Sequence, residues 1–210
     1  EDITYRAVRI LSECDYILCE DTRVTGKLLH KYEIKNDMRR YDAHTSEMAH
    51  VRIIEDLQAG KHIALVSDAG TPGVSDPGVM LIDQVRMAQV PIEVIPGPSA
   101  VTAAVSMAGI TGNQFAFLGF IPQKKGKETF LKNLLDRKEP VVFFESTHRI
   151  LKTLKSLADL YPEAVLHVGR ELTKMHEEML VGTAGEILTT LEAEPVRQKG
   201  EFVVIFDRRK

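Results

Sequence analysis

Short apolar runs alternate along the chain with longer stretches in which apolar residues recur every three or four positions. The short runs are rich in β-branched and aromatic residues, as in strands, whereas the longer spacing is typical of amphipathic helices. In the first half, this pattern predicts strands at 16–19, 39–43, 63–66 and 92–95 and helices at 2–13, 25–32, 47–59, 79–89 and 100–108. Asp2 is the expected N-cap of the first helix. Strands separated by helices predict a largely parallel sheet with helices packed on it.

A second series of elements follows the segment 108–114, which contains Gly, Thr and Asn and is predicted to be a linker. The pattern then predicts strands at 115–120, 141–144, 165–168 and 202–206 and helices at 128–137, 148–160 and 184–191. The last strand could run antiparallel, because mixed sheets are common in such folds. We therefore predict two α/β domains, at 1–110 and 114–210, the first with a mostly parallel sheet and the second with a mixed one.

Composition narrows the class of protein. The 210 residues are 44% hydrophobic and 27% charged, which is ordinary for a globular chain with a sizeable core. The formal net charge of −3 does not favour non-specific coating of nucleic acid, although a local basic patch could still contact RNA. No apolar run reaches the roughly 20 residues of a membrane span, and the charged N-terminal segment is not a secretory signal. These features predict a cytoplasmic protein.

Metal and nucleotide motifs are missing from the sequence. The two cysteines, Cys14 and Cys19, are five positions apart, which does not match the usual zinc spacings, so we interpret them as reduced core residues. The seven histidines show no H-x-x-x-H or H-E-x-x-H spacing. The G-x-G-x-x-G fingerprint and the Walker A loop are also absent, which argues against hydride transfer and nucleotide hydrolysis. No metal site is predicted.

Three polar loops follow predicted strands of the first domain. They are EDTR after 16–19, SDAGTPGVSDPG after 63–66 and PGPSA after 92–95. Ligands of open α/β sheets bind outside the carboxyl ends of the strands, so three such loops indicate a shared site.

The loop at 67–78 is the most distinctive of the three. Its three glycines let a ligand approach the backbone, its two prolines fix the shape, and Asp68 and Asp76 could hold a ribose hydroxyl or an ammonium group. An alternative is a pair of tight turns in which Asp76 caps the next helix. The number of special residues favours a binding site. The small residues after PGPSA indicate either close helix packing or space for a bulky ligand.

The second domain contributes the motifs ESTHR at 145–149 and RELTK at 170–174, again beside apolar strands. Their charged residues could form a salt-bridged face, but their position at strand ends, facing a crevice between the domains, favours a functional role. The loop 123–127 is a small basic patch that is either solvated or in contact with phosphate.

These motifs resemble one family along nearly the whole chain. EDTR with TGKLL, ALVSDAGTPGVSDPG, PGPSA, FLGFIP, ESTHR, RELTK and KGE match in order and spacing the ribosomal RNA small-subunit methyltransferase I group of the tetrapyrrole methylase superfamily. The resemblance implies two α/β domains that bind S-adenosylmethionine in the cleft between them, without a Rossmann glycine motif. It also implies 2′-O-methylation of a cytidine ribose in the decoding region of small-subunit (16S) rRNA, by a homodimer.

The resemblance also implies site residues. Its cofactor candidates are Ala69, Gly70, Thr71, Val74, Ser99, Ala100 and Leu172, which join the loop carboxylates Asp68 and Asp76. Its catalytic candidates lie in shared motifs, and they are Glu171, Glu145, Asp21, Arg23, Arg170 and Lys174, with His44 in a further shared motif. A ribose hydroxyl is a poor nucleophile that benefits from a general base, for which Glu171 ranks before Glu145 and Asp21. Arg23, Arg149, Arg170 and Lys174 could hold rRNA phosphates.

The sequence departs from the family pattern at one place. Family members have an apolar strand and a Pro-Ile-Gly-Asn-Leu-type loop before the segment that starts here at Asp2, and this sequence lacks both. That loop helps to close the family's active site, so the sequence leaves cofactor occupancy open. Two other functions stay open: methylation of a small tetrapyrrole precursor, and a non-catalytic nucleotide-binding module associated with the ribosome.

Overall fold

In the computed structural model, which describes residues 1–110, 112–123 and 125–207, the chain separates into two units, Glu1–Ser99 and Ala100–Lys210. Thr111 of the predicted linker, Lys124 of the basic loop and residues 208–210 lie outside the described residues. The first unit contains α1 (Tyr5–Glu13), β1 (Tyr16–Cys19), α2 (Thr22–Lys31), β2 (Met38–Arg40), α3 (Glu47–Gln58), β3 (Ile63–Leu65) and α4 (Val79–Met87).

The second unit begins with a helix and ends with a central strand. It contains α5 (Ala100–Ala108), β4 (Ala116–Phe120), α6 (Lys127–Lys132), β5 (Val141–Ser146), α7 (Ile150–Leu160), β6 (Val165–Arg170), β7 (Glu178–Thr183), α8 (Ala184–Ala193) and β8 (Glu201–Phe206), with 3-10 turns at Asn133–Asp136 and Pro195–Gln198. The helix α5 therefore belongs to this unit, whereas its sequence had placed it in the first domain.

The sheet of the first unit is parallel, as predicted, with the order β2-β1-β3. Successive side chains of a strand point to opposite faces of the sheet. The side chains of the fully buried β1 therefore pack in two hydrophobic cores, one on each face. Tyr16 and Leu18 pack with Ile53 of α3 and Leu81 of α4. On the other face Ile17 packs with α1 and α2. Helices thus cover both faces of this sheet.

The sheet of the second unit is mixed, as predicted, with the order β4-β5-β8-β6-β7. Only β4 and β5 pair in parallel, and the last strand, β8, lies antiparallel between β5 and β6. One face packs against α7 and α8, and the other against α5. Ala104 and Ala108 bring α5 close to Val142 and Ile205, so the small residues of this helix serve close packing.

The predicted strand at 92–95 is wrong. Residues 91–99 form no strand among the described residues, and Val94 is 76% exposed. A strand is stabilised by the ladder to a neighbour, and here Pro91, Pro96 and Pro98 remove backbone donors on both sides of the apolar run. Local apolar character was therefore not sufficient to form a strand.

Two further differences concern element ends and a missed strand. The first helix begins at Tyr5, because Thr4 and not Asp2 is its N-cap and accepts the N–H of Ala7 through its hydroxyl at 3.1 Å. The strand β7 was not predicted, because only three consecutive apolar residues follow a long polar stretch. Its stability comes from antiparallel pairing with β6 along all six residues.

Candidate active site

The loops that follow β1 and β3 lie side by side at the carboxyl edge of the first sheet. The N–H of Asp21 donates to Oδ1 of Asp68, and the N–H of Asp68 donates to Oε1 of Glu20, both at 3.3 Å. Because β1 and β3 are neighbouring parallel strands, their carboxyl ends meet at one edge. The prediction that the EDTR and SDAG loops lie together is confirmed.

The 67–78 loop adopts a backbone that requires glycine. Gly70, Gly73 and Gly78 have φ values of 69°, 78° and 126°, in the region that side chains disfavour. At Gly78, an added Cβ would stand 2.8 Å from Cδ2 of Leu65, so β3 leaves no space for a side chain there. This loop is therefore a shaped backbone surface.

The first part of this loop is exposed to solvent. The hydroxyl of Ser67 donates to the carbonyl of Ala69 at 2.9 Å and holds the turn at the end of β3. Among the cofactor candidates of the loop, the exposed ones are Asp68, Ala69, Gly70 and Val74, and the half-buried ones are Thr71 and Asp76. The backbone around Ala69 is thus accessible to a ligand.

Asp76 lies two positions before the N-cap of the next helix. The N-cap of α4 is Gly78, which has no side chain to form a cap hydrogen bond. The alternative interpretation, two tight turns with Asp76 capping the helix, stays a prediction. The Asp76 carboxylate lies 3.9 Å from the position of a Cβ on Gly70.

Asp21 and Arg23 form a close pair at the start of α2. Asp21 is the N-cap and accepts the backbone N–H of Arg23 at 2.8 Å, and its two oxygens also accept from the Arg23 guanidinium. The guanidinium, followed by the backbone N–H, holds the pKa of Asp21 well below its usual range. The Arg23 side chain is 86% exposed, so its remaining donors face solvent.

The PGPSA motif spans the boundary of the two units. Ser99 is the last residue of the first unit, and Ala100 is the first residue of α5. At its other end, the carbonyl of Pro96 accepts a hydrogen bond from the hydroxyl of Thr4 at 3.4 Å.

Three motifs of the second unit, ESTHR, RELTK and KGE, lie together at one edge of the second sheet. Because β8 is antiparallel to β5 and β6, its first residue lies beside their last ones: Ser146 pairs with Glu201, and Arg170 with the next residue of β8. The hydroxyl of Thr147 donates to the carbonyl of Gly200 at 2.5 Å and accepts the N–H of the same residue at 3.0 Å. Side chains from distant motifs thus meet at Gly200.

Glu171 is held at the centre of this cluster with a positive φ of 48°. Its Oε1 accepts the N–H of Glu201 at 2.8 Å and the ammonium of Lys174 at 3.0 Å, and Lys174 also pairs with Glu201 at 2.9 Å. Burial by itself would raise the pKa of Glu171, but the N–H of Glu201 and the Lys174 ammonium lower it overall. Glu171 is therefore an ionised carboxylate at neutral pH.

Arg170 is a buried group that ties two loops together. It is 6% exposed, and its guanidinium donates to the carbonyls of Lys199 (2.7 Å), Val196 (3.2 Å) and His176 (3.3 Å) and to Oε1 of Glu178 (3.0 Å). A phosphate could reach this guanidinium only by displacing these bonds. Its placement favours a structural role.

Glu145 is a second buried charge. Its side chain is 0% exposed and pairs with Arg149 at 2.9 Å. The same carboxylate accepts the N–H of Ser146 at 2.8 Å and the hydroxyl of Thr153 at 2.7 Å. Both of its oxygens are thus occupied from within the second unit.

Leu172 packs on the sheet face that α5 covers. Its Cδ1 lies 2.9 Å from the position of a Cβ on Gly169, so only glycine allows this approach, and it joins the cluster of Val203 and Met179. His44 and His148 are exposed.

Neither a metal site nor a membrane span is found in the described part of the chain. Among residues 1–110, 112–123 and 125–207, no three His, Cys, Asp or Glu side chains are grouped to hold a metal ion. No helix within the same residues is long and apolar enough to cross a bilayer.

Comparison with known proteins decides the family. The model of the Tetrapyrrole (Corrin/Porphyrin) Methylases matches residues 1–188. A ribosomal RNA small subunit methyltransferase I of Thermotoga maritima is 38% identical over 210 residues, which cover 100% of this chain and 94% of that protein. The chain belongs to the ribosomal RNA small subunit methyltransferase I family. Family members from Neisseria meningitidis serogroup B (43% identical, 97% of this chain and 70% of that protein) and Bacillus subtilis (39%, 99% and 70%) are also similar.

Solved structures of tetrapyrrole methylases share the fold of this family member. A cobalt precorrin-4 methyltransferase aligns with a TM-score of 0.69 and 17% identity over 97% of this chain and 88% of that chain. A uroporphyrin-III-C-methyltransferase from Thermus thermophilus aligns with a TM-score of 0.64 and 20% identity over 97% and 87%. These likenesses confirm the predicted tetrapyrrole methylase-like fold and, at such identities, concern the fold alone.

Sequence reasoning missed several residues that organise the family's motifs here. Gly200 and Thr147 lie in the KGE and ESTHR motifs, but neither had been assigned a role. Thr153, fully buried on α7, carries a hydrogen bond from Lys127 at 3.0 Å. A threonine among the apolar positions of that helix was the available signal for a buried polar contact.

Proposed function

We propose that this protein transfers a methyl group from S-adenosyl-L-methionine to the 2′-hydroxyl of a cytidine ribose in small-subunit (16S) rRNA. The observation that carries the proposal is the 38% identity, over its whole length, to a protein named ribosomal RNA small subunit methyltransferase I. The proposed substrate is the rRNA, either isolated or within the small ribosomal subunit. We further propose that the enzyme acts in the cytoplasm as a homodimer.

The first-unit loop 67–78 fits a cofactor of this kind. Gly70 is exposed, and the position of a Cβ on it has only a distant neighbour, so this part of the loop leaves its backbone accessible to a ligand at a strand end. We assign the cofactor to the residues Asp68, Ala69, Gly70, Thr71, Val74, Asp76, Ser99, Ala100 and Leu172. S-Adenosylmethionine supplies an electrophilic methyl group, so the protein's main task is to orient the ribose hydroxyl.

Among the three candidate bases, Glu171 has the best placed oxygen. Both carboxylate oxygens of Asp21 and of Glu145 accept hydrogen bonds from their own units. The Oε1 of Glu171 is likewise occupied, whereas its Oε2 accepts no hydrogen bond from the described residues. We therefore assign proton removal from the hydroxyl to Oε2 of Glu171, with Lys174 as a positioning residue that holds the other oxygen.

The proposal is tested by methyl transfer to isolated small ribosomal subunits that lack the modification. We expect tritium from labelled cofactor to appear in the rRNA and the modified cytidine to resist alkaline cleavage. Transfer to a porphyrinoid instead of rRNA would favour the tetrapyrrole alternative. Binding of S-adenosylhomocysteine by calorimetry without any transfer would favour the non-catalytic alternative. Either result would overturn the proposal.

The role of Glu171 is tested by Glu171→Gln. Loss of a general base is expected to lower kcat by about 10²–10⁴-fold with little change in KM. The matched control is Glu201→Gln, which removes the other carboxylate that pairs with Lys174 and leaves Oε2 of Glu171 in place. A base role predicts that Glu201→Gln keeps most activity, and that the acid limb of the pH–kcat profile is lost only in Glu171→Gln.

A further inference from the structure

The buried carboxylate of Glu145 has more positive charge around it than it can neutralise. Arg149 pairs with it directly at 2.9 Å. Lys127 reaches it through Thr153, whose hydroxyl donates to Oε2 of Glu145 at 2.7 Å and accepts from the Lys127 ammonium at 3.0 Å. One carboxylate thus serves two cations at the start of α6 and α7.

Further lysines add to the excess of positive charge around Glu145. Burial lowers the pKa of Lys127, Glu145 opposes this effect, and the charges of Arg149 and Lys152 lower the pKa further. Lys152 is exposed and forms no ion pair with a carboxylate in the described ranges. Lys125 is exposed two positions before Lys127.

Two other basic residues near this sheet edge, Lys174 and Arg170, are neutralised. Lys174 pairs with two carboxylates, and Arg170 is buried against Glu178. On α6 itself, the only acidic residue, Glu128, pairs with Lys132 at 2.6 Å. Lys125, Lys127 and Lys152, which form no ion pair with a carboxylate among the described residues, lie at the start of α6 and α7, and we call them the lysine cluster.

Arg149 has a different function from the lysines. Its guanidinium donates to the carbonyl of Ile121 at 2.8 Å and to the hydroxyl of Ser146 at 3.2 Å, besides the bond to Glu145. It thereby fixes the end of β4 to the end of β5. The lysine cluster stands on a framework whose own charge is already paired.

We infer that the lysine cluster is a contact site for the phosphate backbone of the RNA substrate. The inference rests on the proposed function and extends it by naming where the RNA backbone is held. Ammonium groups bind phosphates as point charges, and such contacts orient the nucleic acid without reading its sequence. It assigns phosphate contact to Lys152, for which the sequence predicted no role, and to Lys125 and Lys127 of the basic loop, in place of Arg170 and Lys174.

The test measures binding to protein-free small-subunit rRNA at increasing KCl. Each lost phosphate contact lowers the slope of log affinity against log salt by about 0.7–0.9. We expect this decrease in Lys127→Gln and in Lys152→Gln, and about twice as much in the double variant. The matched control is Lys132→Gln, which makes the same charge change on α6 at a paired lysine and should keep the wild-type slope.

Three outcomes would overturn the inference. The first is that the salt slopes of Lys127→Gln and Lys152→Gln equal that of Lys132→Gln. This result would leave the methyl transfer of the wild type, and hence the proposed function, intact. An effect seen with intact subunits but not with protein-free rRNA would assign the cluster to a ribosomal protein. Failure of the wild type to bind or methylate rRNA would overturn both. If Lys127→Gln unfolds, the exposed Lys152→Gln still decides, since its circular dichroism should match the wild type.

Discussion

The side chain of Glu171 lies directly against Gly200: a Cβ on Gly200 would stand 2.5 Å from Cγ of Glu171. Gly200 has a φ of 116°, and Glu171 itself has a φ of 48°. On the other side, Thr147 binds both peptide groups of Gly200. Two residues with positive φ, 29 positions apart in sequence, thus meet in one contact.

Gly200→Ala should damage this contact. A side chain at this φ is strained, and its Cβ would push Glu171 away from the N–H of Glu201, so the free energy of unfolding should fall by roughly 1–3 kcal/mol. Urea denaturation measures the change. The control is Gly185→Ala in α8, where a Cβ meets nothing within 4 Å and alanine is favoured in a helix by about 0.5–1 kcal/mol. Equal stability of the two variants would contradict this account.

Arg170→Leu should be among the most destabilising changes in the second unit. It leaves Glu178 without one of its two partners and three carbonyls without their donor, and breaking such a buried pair costs about 3–5 kcal/mol. Arg170→Lys should be intermediate, because an ammonium cannot reach all four acceptors. Arg9→Gln serves as the exposed comparison, with a loss of only about 0.3–0.5 kcal/mol expected from its helix pair with Glu13. A small loss in Arg170→Leu would argue that its loops rearrange without cost.

Lowering the pH should destabilise the second unit because Glu178 becomes protonated. Burial raises the pKa of this carboxylate, but Arg197 and Arg170 outweigh burial and lower it overall. A lowered folded-state pKa gives stability that is present above the unfolded value of about 4.3 and is lost as the pH falls through the folded value. Glu178→Gln should therefore be less stable at neutral pH and show a smaller further loss below about pH 4. If the free energy of unfolding fell by the same amount with decreasing pH in the variant and the wild type, this linkage would be refuted.

Raising the pH should destabilise the first unit because Tyr16 becomes deprotonated. Burial, followed by the hydrogen bond to Asp56 at 3.0 Å, raises the pKa of Tyr16 to about 12. A raised pKa gives stability that is complete below the unfolded value of about 10 and is lost as the pH rises through the folded value. Tyr16→Phe should remove this alkaline loss and one late step from the tyrosinate absorbance titration. A titration of Tyr16 at about 10 in the folded protein would contradict the prediction.

Much of the fold follows from local patterns. Helices such as α3, bounded by Ser46 and Gly60, were predicted to within one residue, because caps and apolar spacing act within a few positions. The same holds for the parallel sheet and for the meeting of the EDTR and SDAG loops. Consecutive strands with helical connections place their carboxyl ends at one edge, so the region of the first-unit loops could be predicted from order alone.

By itself, the sequence determined the spacing of apolar residues, the residues that begin and end helices, and the motifs that identify the family. The tertiary structure decided strand pairing and burial. Residues 92–95 have no neighbouring strand to pair with, and α5 packs on the second sheet. The guanidinium of Arg170 is occupied by hydrogen bonds to residues 6 to 29 positions away in the chain. The tertiary structure also decided which lysines pair with a carboxylate, as Lys132 and Lys174 do. Hydrogen bonds and ion pairs depend on distances between atoms that are remote in the chain, and such distances exist only once the sheets have formed.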